Sequence, residues 1–143
     1  MFAQIEQDAK LKSEMKTSFI MEAKKLERYK NEYQDWLETL DRIQLEIVFL
    51  KNHIADIVSK GVNAEKLEKL EYFQNNFLNK DLIIALLRRD IRHQYDILGD
   101  KKIIESGKLT AQIDEVQRTL REDIGKMEKE VGYLKTEFSI FFA

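Results

Sequence analysis

Apolar residues recur at alternating spacings of three and four along most of this chain, the spacing that keeps side chains on one face of an α-helix. The first such row runs Met15, Phe19, Leu26, Tyr29, Tyr33, Trp36, Leu40, Ile43, Ile47, Leu50, Ile54 and Ile57, with Glu22 its one polar interruption. It predicts a helix over about residues 2–60. Gly61 then supplies the left-handed conformation that ends a helix, and Val62 is placed to pack back on Ile57.

Asn63 sits where an N-cap belongs, with Glu65 in the first turn. A second helix is predicted over about 64–98, with Leu70, Phe73, Phe77, Ile84, Leu87, Ile91 and Leu98 on its inner face and Gly99-Asp100 closing it. The stretch KKIIESGKL (101–109) reads as the longest loop. Thr110 then caps a third helix over about 110–142. Its stripe is Ile113, Val116, Leu120, Ile124, Met127, Val131, Leu134, Phe138 and Phe141, which leaves Ile140 and Phe142 for a partner.

A hairpin at 60–63 sets the first two helices antiparallel, and a short second link returns the third beside the first. The fold class expected is therefore all-α, an antiparallel three-helix bundle of long helices with coiled-coil-like packing, in one domain spanning 1–143. The lengths do not match. The second helix spans ~50 Å, while an unbroken first helix runs ~85–90 Å. Residues 1–24 therefore overhang. They carry Phe2, Ile5, Leu11, Met15, Phe19, Ile20 and Met21, and leaving such side chains in water costs ~1.5–3 kcal/mol each. Two coverings are open: the segment bends near Thr17-Ser18 and folds back as a fourth helix, or it stays straight and packs on a second copy. Residues 1–60 contain no glycine or proline, which favours the straight form.

Further apolar residues lie off the main rows. On the first helix Leu45 and Phe49 point nearly opposite the seam. On the second, Tyr72, Leu82, Leu86 and Ile97 form a stripe away from the inner face. Met15, Phe19, Leu45, Phe49, Leu82 and Leu86 are the candidate assembly surface. Gly125 and Gly132, one heptad apart opposite the third helix's stripe, suggest a face that another helix approaches.

Composition narrows the function. A charged fraction of 35% beside 43% hydrophobic residues suits helices with one wet face and is too apolar for a disordered chain. The formal net charge of −2 argues against a general nucleic-acid binder. The chain has no cysteine, hence no disulfide, thiolate nucleophile or Cys-ligated metal, which fits a cytoplasmic setting. MFAQIEQDAK has no apolar core of a secretory signal, and the longest apolar run, LIIALL at 82–87, is far short of a membrane span. No nucleic-acid or membrane partner is expected.

The one chemically dense stretch is RRDIRH, residues 88–93. Asp90 and His93 have the carboxylate-x-x-His spacing of di-metal bundles, but such a site needs a second copy, and Leu50 precedes His53 at the matching offset. The hairpin also separates His53 from His93 by ~35 Å along the bundle. A metal site thus survives only if two chains bring one histidine each to a symmetry axis, and no metal or cofactor is expected. The alternative is a patch for an anion or acidic partner built from Arg88, Arg89, Arg92 and His93, with Lys101 and Lys102 near it. Against it stands a solvated helix face, with Ile91 in the core row and Asp96 positioned to accept from Arg92. Carboxylate pairs such as Glu68/Glu71 and Glu128/Glu130 fall on wet faces. No glycine-flanked serine or phosphate loop occurs, so no catalytic residue is assigned and no enzyme is expected.

The stretches YQDWLETLDRIQLEIVFLKNHI, EKLEYFQNNFLNKDLIIALLRRDIRH and MEKEVGYLKTEFSIFF resemble a family of small bacterial (Bacteroidetes-type) helical-bundle proteins with no assigned activity. The likeness covers roughly residues 30–142 and rests on core pattern around Trp36-Leu37, residues 72–77 and Phe138. It implies the helical fold and carries over no site; Tyr72 stands where such proteins often have histidine. The function expected is a non-enzymatic structural or protein-interaction bundle that forms a homodimer or larger homo-oligomer.

Overall fold

The computed structural model describes residues 2–100 and 111–142, with the side chains of residues 17–19 and 21 left aside. The protein is all-helical. Among the described residues three long helices follow one another: α1 (Phe2–Ser59), α2 (Ala64–Leu98) and α3 (Ala111–Phe142). The expected three-helix count needs one correction, because it holds for the described residues and not for the chain as a whole. It rested on reading 101–109 as a loop from Ser106 and Gly107. That stretch, the cap at Thr110 and the basic residues Lys101 and Lys102 lie outside the described residues.

The turn between α1 and α2 forms for the expected reasons. Gly61 has φ +86°, and its N–H donates to the Val58 carbonyl at 3.1 Å, the inner bond of a Schellman ending. Val62 and Ile57 both pack against the core. The Asn63 side chain accepts from the Lys66 N–H at 2.8 Å, capping α2.

Cross-helix pairs fix the directions. Lys51–Asp81 and Asp41–Arg88 run in opposite senses along α1 and α2, so these helices are antiparallel. Tyr29–Asp114, Glu32–Arg121, Arg42–Glu128 and His53–Phe138 advance together, so α1 and α3 are parallel. The main core joins Trp36 to Ile54 of α1 with Leu70 to Ile91 of α2 and Leu120 to Phe138 of α3. Around Phe73 at its hairpin end, the rings of Phe77 and Phe138 lie 6.3 and 5.3 Å away. A smaller cluster of Tyr29, Leu98 and Ile113 closes the other end.

Several row assignments are corrected. Gln117, not Val116, takes the inner position on α3, and Lys80 and Gln94 fill inner positions of α2 that the apolar row skips. Phe142 packs on the core while Phe141 is half exposed, the reverse of the expected order. Ile97 packs against the small cluster, so the outer stripe of α2 is Tyr72, Leu78, Leu82 and Leu86. The fold-back covering is not adopted either: α1 is unbroken from Phe2 to Ser59, since no residue before Gly61 frees the backbone to turn.

Candidate assembly surface

The bundle ends where Lys25 and Leu26 meet α2 and α3, and α1 continues beyond it. Residues 2–24 project as an arm of about 35 Å at 1.5 Å per residue. Its described apolar side chains stand in solvent: Phe2 is 83%, Ile5 60%, Leu11 51% and Met15 70% exposed. Each large apolar side chain left wet forgoes ~1.5–3 kcal/mol of burial. Ile20 is exposed as well, and the side chain of Phe19 lies outside the described residues.

A polar collar anchors the base of the arm. Lys25 Nζ donates to Asp114 at 2.7 Å and the Tyr29 hydroxyl donates to the same carboxylate at 2.6 Å. One turn further along, Arg121 binds Glu32 through two donors, Nε at 2.6 Å and a terminal nitrogen at 2.7 Å. Beneath these, the buried Gln94 amide donates to the Ile113 carbonyl at 3.0 Å and to Gln117 Oε1 at 3.2 Å. The Gln117 amide in turn donates to the Tyr29 carbonyl and to Glu32, both at 3.4 Å. Tyr33 of α1 stacks on Tyr95 of α2 with ring centroids 4.0 Å apart, in the same region. Among the described residues no buried side-chain nitrogen or oxygen lacks a partner, as a folded interior demands.

The collar sets how stability responds to pH. Burial alone would raise the Asp114 carboxyl, but the bonds from Lys25 and Tyr29 outweigh it and hold the group below its ordinary 3.8. Burial likewise opposes Glu32, whose bonds to Arg121 bring it below 4.5, and the Lys80 ammonium lowers Glu130 directly. The bond to Asp114 raises Lys25 above 10.5, while burial and then its own bond to Asp114 raise Tyr29 above 10.0. Lowered carboxyls contribute stability that is present above their unfolded values, near 4, and is lost as pH falls through the folded ones. Raised Lys25 and Tyr29 contribute below their unfolded values, near 10, and lose that contribution as pH rises through the folded ones. Denaturant midpoints measured against pH should therefore show a plateau between about pH 5 and 9.5, falling on both sides. A midpoint that rises on acidification below pH 4 would contradict the assigned bonds.

The remaining expected site residues are spread over the surface. Leu45 and Phe49 are exposed on the outer face of α1, and Leu82 and Leu86 on that of α2, so Met15, Leu45, Phe49, Leu82 and Leu86 are all open to a partner. Leu45, Phe49, Leu82 and Leu86 of the bundle do not form one patch with Met15 on the arm, which leaves from the collar end. Gly125 and Gly132 face open space, where an added Cβ would meet nothing within 4 Å.

The arginine stretch divides. Arg88 reaches across to α1, donating to Asp41 at 2.7 Å and Gln44 at 2.9 Å, so its charge is matched inside the chain. Arg89 pairs with the neighbouring Asp90, while Arg92 and His93 are exposed beside it. His53 is half buried, edge-on to Phe138 at 5.3 Å near the hairpin end, whereas His93 sits near the collar end. Among the described residues no three metal-ligating side chains converge. Glu130 pairs with the buried Lys80 and Glu128 with Arg42, so neither is a free carboxylate. Among the described residues no helix is long and apolar enough to cross a membrane.

The sequence reading missed the collar. Its signal was present as spacing: Gln94 lies between Ile91 and Leu98, and Gln117 between Ile113 and Leu120, at the three- and four-residue steps of the core rows. Comparison with protein-family models, curated proteins and solved structures finds no match for the chain.

Proposed function

We propose that this chain is a non-enzymatic, self-associating helical protein, in which a bundle serves as the rigid base of a helical arm that binds a second copy. The observation that carries the reading is the arm itself, an unbroken continuation of α1 with Phe2, Ile5, Leu11 and Met15 exposed. A coiled-coil contact is the partner geometry that such a helix suits, because it covers a narrow apolar seam without bending the chain. The collar supports the same reading. Lys25–Asp114 and Arg121–Glu32 tie α1 to α3 where the arm leaves, so the arm's direction is set by the fold. Self-association is also the simplest answer to a repeated exposed feature, since closed homodimers bury the same patch on both subunits.

The proposed setting is the cytoplasm, which the lack of cysteine suits. The experiment that tests the function is the absolute mass in solution of the full chain beside a chain lacking the arm.

A further inference from the structure

The seam of α1 does not stop at the bundle. Followed back from Tyr29 and Leu26 in alternating fours and threes, the same row passes Glu22, Phe19, Met15, Lys12, Asp8 and Ile5. On the arm this row is apolar at Ile5, Met15 and Phe19, with one acid, Asp8, and one base, Lys12, between the first two. Ile5, Asp8, Lys12 and Met15 are exposed. Charges on an otherwise apolar seam are what select register and direction in paired helices.

Resting on the self-association reading, we infer that two arms pair antiparallel about a two-fold axis level with Lys10. In antiparallel pairs each seam layer joins alternate positions of the two helices. With the axis there, Ile5 of one copy faces Met15 of the other, and Asp8 faces Lys12. The symmetry repeats both layers on the other side. The apolar pairs thus lie outermost and two opposite-charge pairs lie between them. Leu11, beside the seam on its flank, meets its own copy across the axis, and the small Ala9 does so on the other flank. The exposed Leu11 is thereby covered without being a seam residue.

A parallel pair has the opposite electrostatics. It sets Asp8 against Asp8 and Lys12 against Lys12 within the seam, and like charges held there are repulsive without a compensating partner. The partner that fits is a second copy of this chain, because the row is complementary to its own reverse. That self-complementarity is what an isologous contact requires.

The test uses the full chain, whose arm substitutions lie outside the bundle core and leave its thermal transition as a check on folding. Asp8→Lys and Lys12→Asp should each weaken dimerisation at least about tenfold, by sedimentation. An equimolar mixture of the two variants should recover dimers, since one chain then carries lysine at both seam positions and the other carries aspartate at both. Direction is read separately with single cysteines, of which the chain has none of its own. Chains carrying Ile5→Cys and Met15→Cys should form a disulfide between each other when mixed, and neither alone. Self-linking of each variant alone would overturn the antiparallel pairing. A dimeric parent whose charge variants dimerise as tightly as it does would overturn the arm register while leaving self-association standing. A monomeric parent would overturn both.

Discussion

Replacing Phe73 by alanine should remove about 3–5 kcal/mol of folding stability, measured as the drop in denaturant midpoint at unchanged slope. Phe73 is fully buried, and five other rings surround it: Tyr72, Phe77, Phe138, Phe141 and Phe142. It meets Phe138 edge to face, with centroids 5.3 Å apart and an interplanar angle of 87°, a favoured aromatic geometry. These rings come from α2 and α3, and α1 reaches the same cluster through His53, which meets Phe138. Backbones anchored on three sides relax poorly into a hole, so the loss should fall in the upper part of the range for large-to-small changes. Phe141→Ala serves as the comparison. That ring also touches Phe73, at 6.2 Å, but is half exposed, and its removal should have a much smaller effect. Equal losses at the two positions would contradict the core as described.

The second large effect belongs to the buried glutamines. Gln117→Leu should destabilise by about 1–3 kcal/mol, because Gln94 then keeps its bond to the Ile113 carbonyl but loses the acceptor at Gln117 Oε1. Water cannot replace that acceptor readily, since Gln94 is 3% and Gln117 1% exposed. Changing both residues to leucine removes donor and acceptor together and extends the apolar rows of α2 and α3. The double variant should therefore recover most or all of the loss, a coupling that a double-mutant cycle measures directly. Simple addition of two single losses would show that the pair does not act as one unit. With that recovery, the polar layer contributes register rather than net stability, holding α3 level with α1 and α2, as a buried polar residue does in paired helices.

Much of the fold was legible because its cause is local. Gly61 with Asn63 marked the hairpin to within a residue, and the apolar rows of α1 and α2 named most of the core. Errors gathered where a polar side chain occupies an inner position. Gln94, Gln117 and Lys80 are buried because partners on other helices satisfy them, and no pattern within one helix reveals a partner that a different helix supplies. Arg88 is the same lesson at the surface. Within RRDIRH it looks like one cation among three, and only the antiparallel register of α1 brings Asp41 and Gln44 to it. Phe141 and Phe142 exchanged places because the last turn of α3 has rows on both sides to choose between, and packing on Phe138, whose ring lies 5.2 Å from that of Phe142, decided.

The lack of glycine and proline before Gly61 favoured the unbroken arm over the fold-back without deciding it, and the arm's own pairing code was not legible in the same way. Asp8 and Lys12 look like ordinary wet residues until the seam is followed past the bundle's end. The collar also sets where the arm can be cut. Lys25 belongs to the bundle through Asp114, so a chain beginning at Leu26 would lose a structural bond along with the arm. A chain beginning at Ala23 keeps the collar and removes only the projecting turns.

Light scattering on the full chain and on the chain beginning at Ala23 tests the central claim most directly. The expected result is a dimer for the full chain and a folded monomer for the shortened one, with the same thermal transition of the bundle in both. A full chain that stays monomeric at high concentration would contradict self-association altogether, and two dimers of equal stability would move the interface from the arm to the bundle.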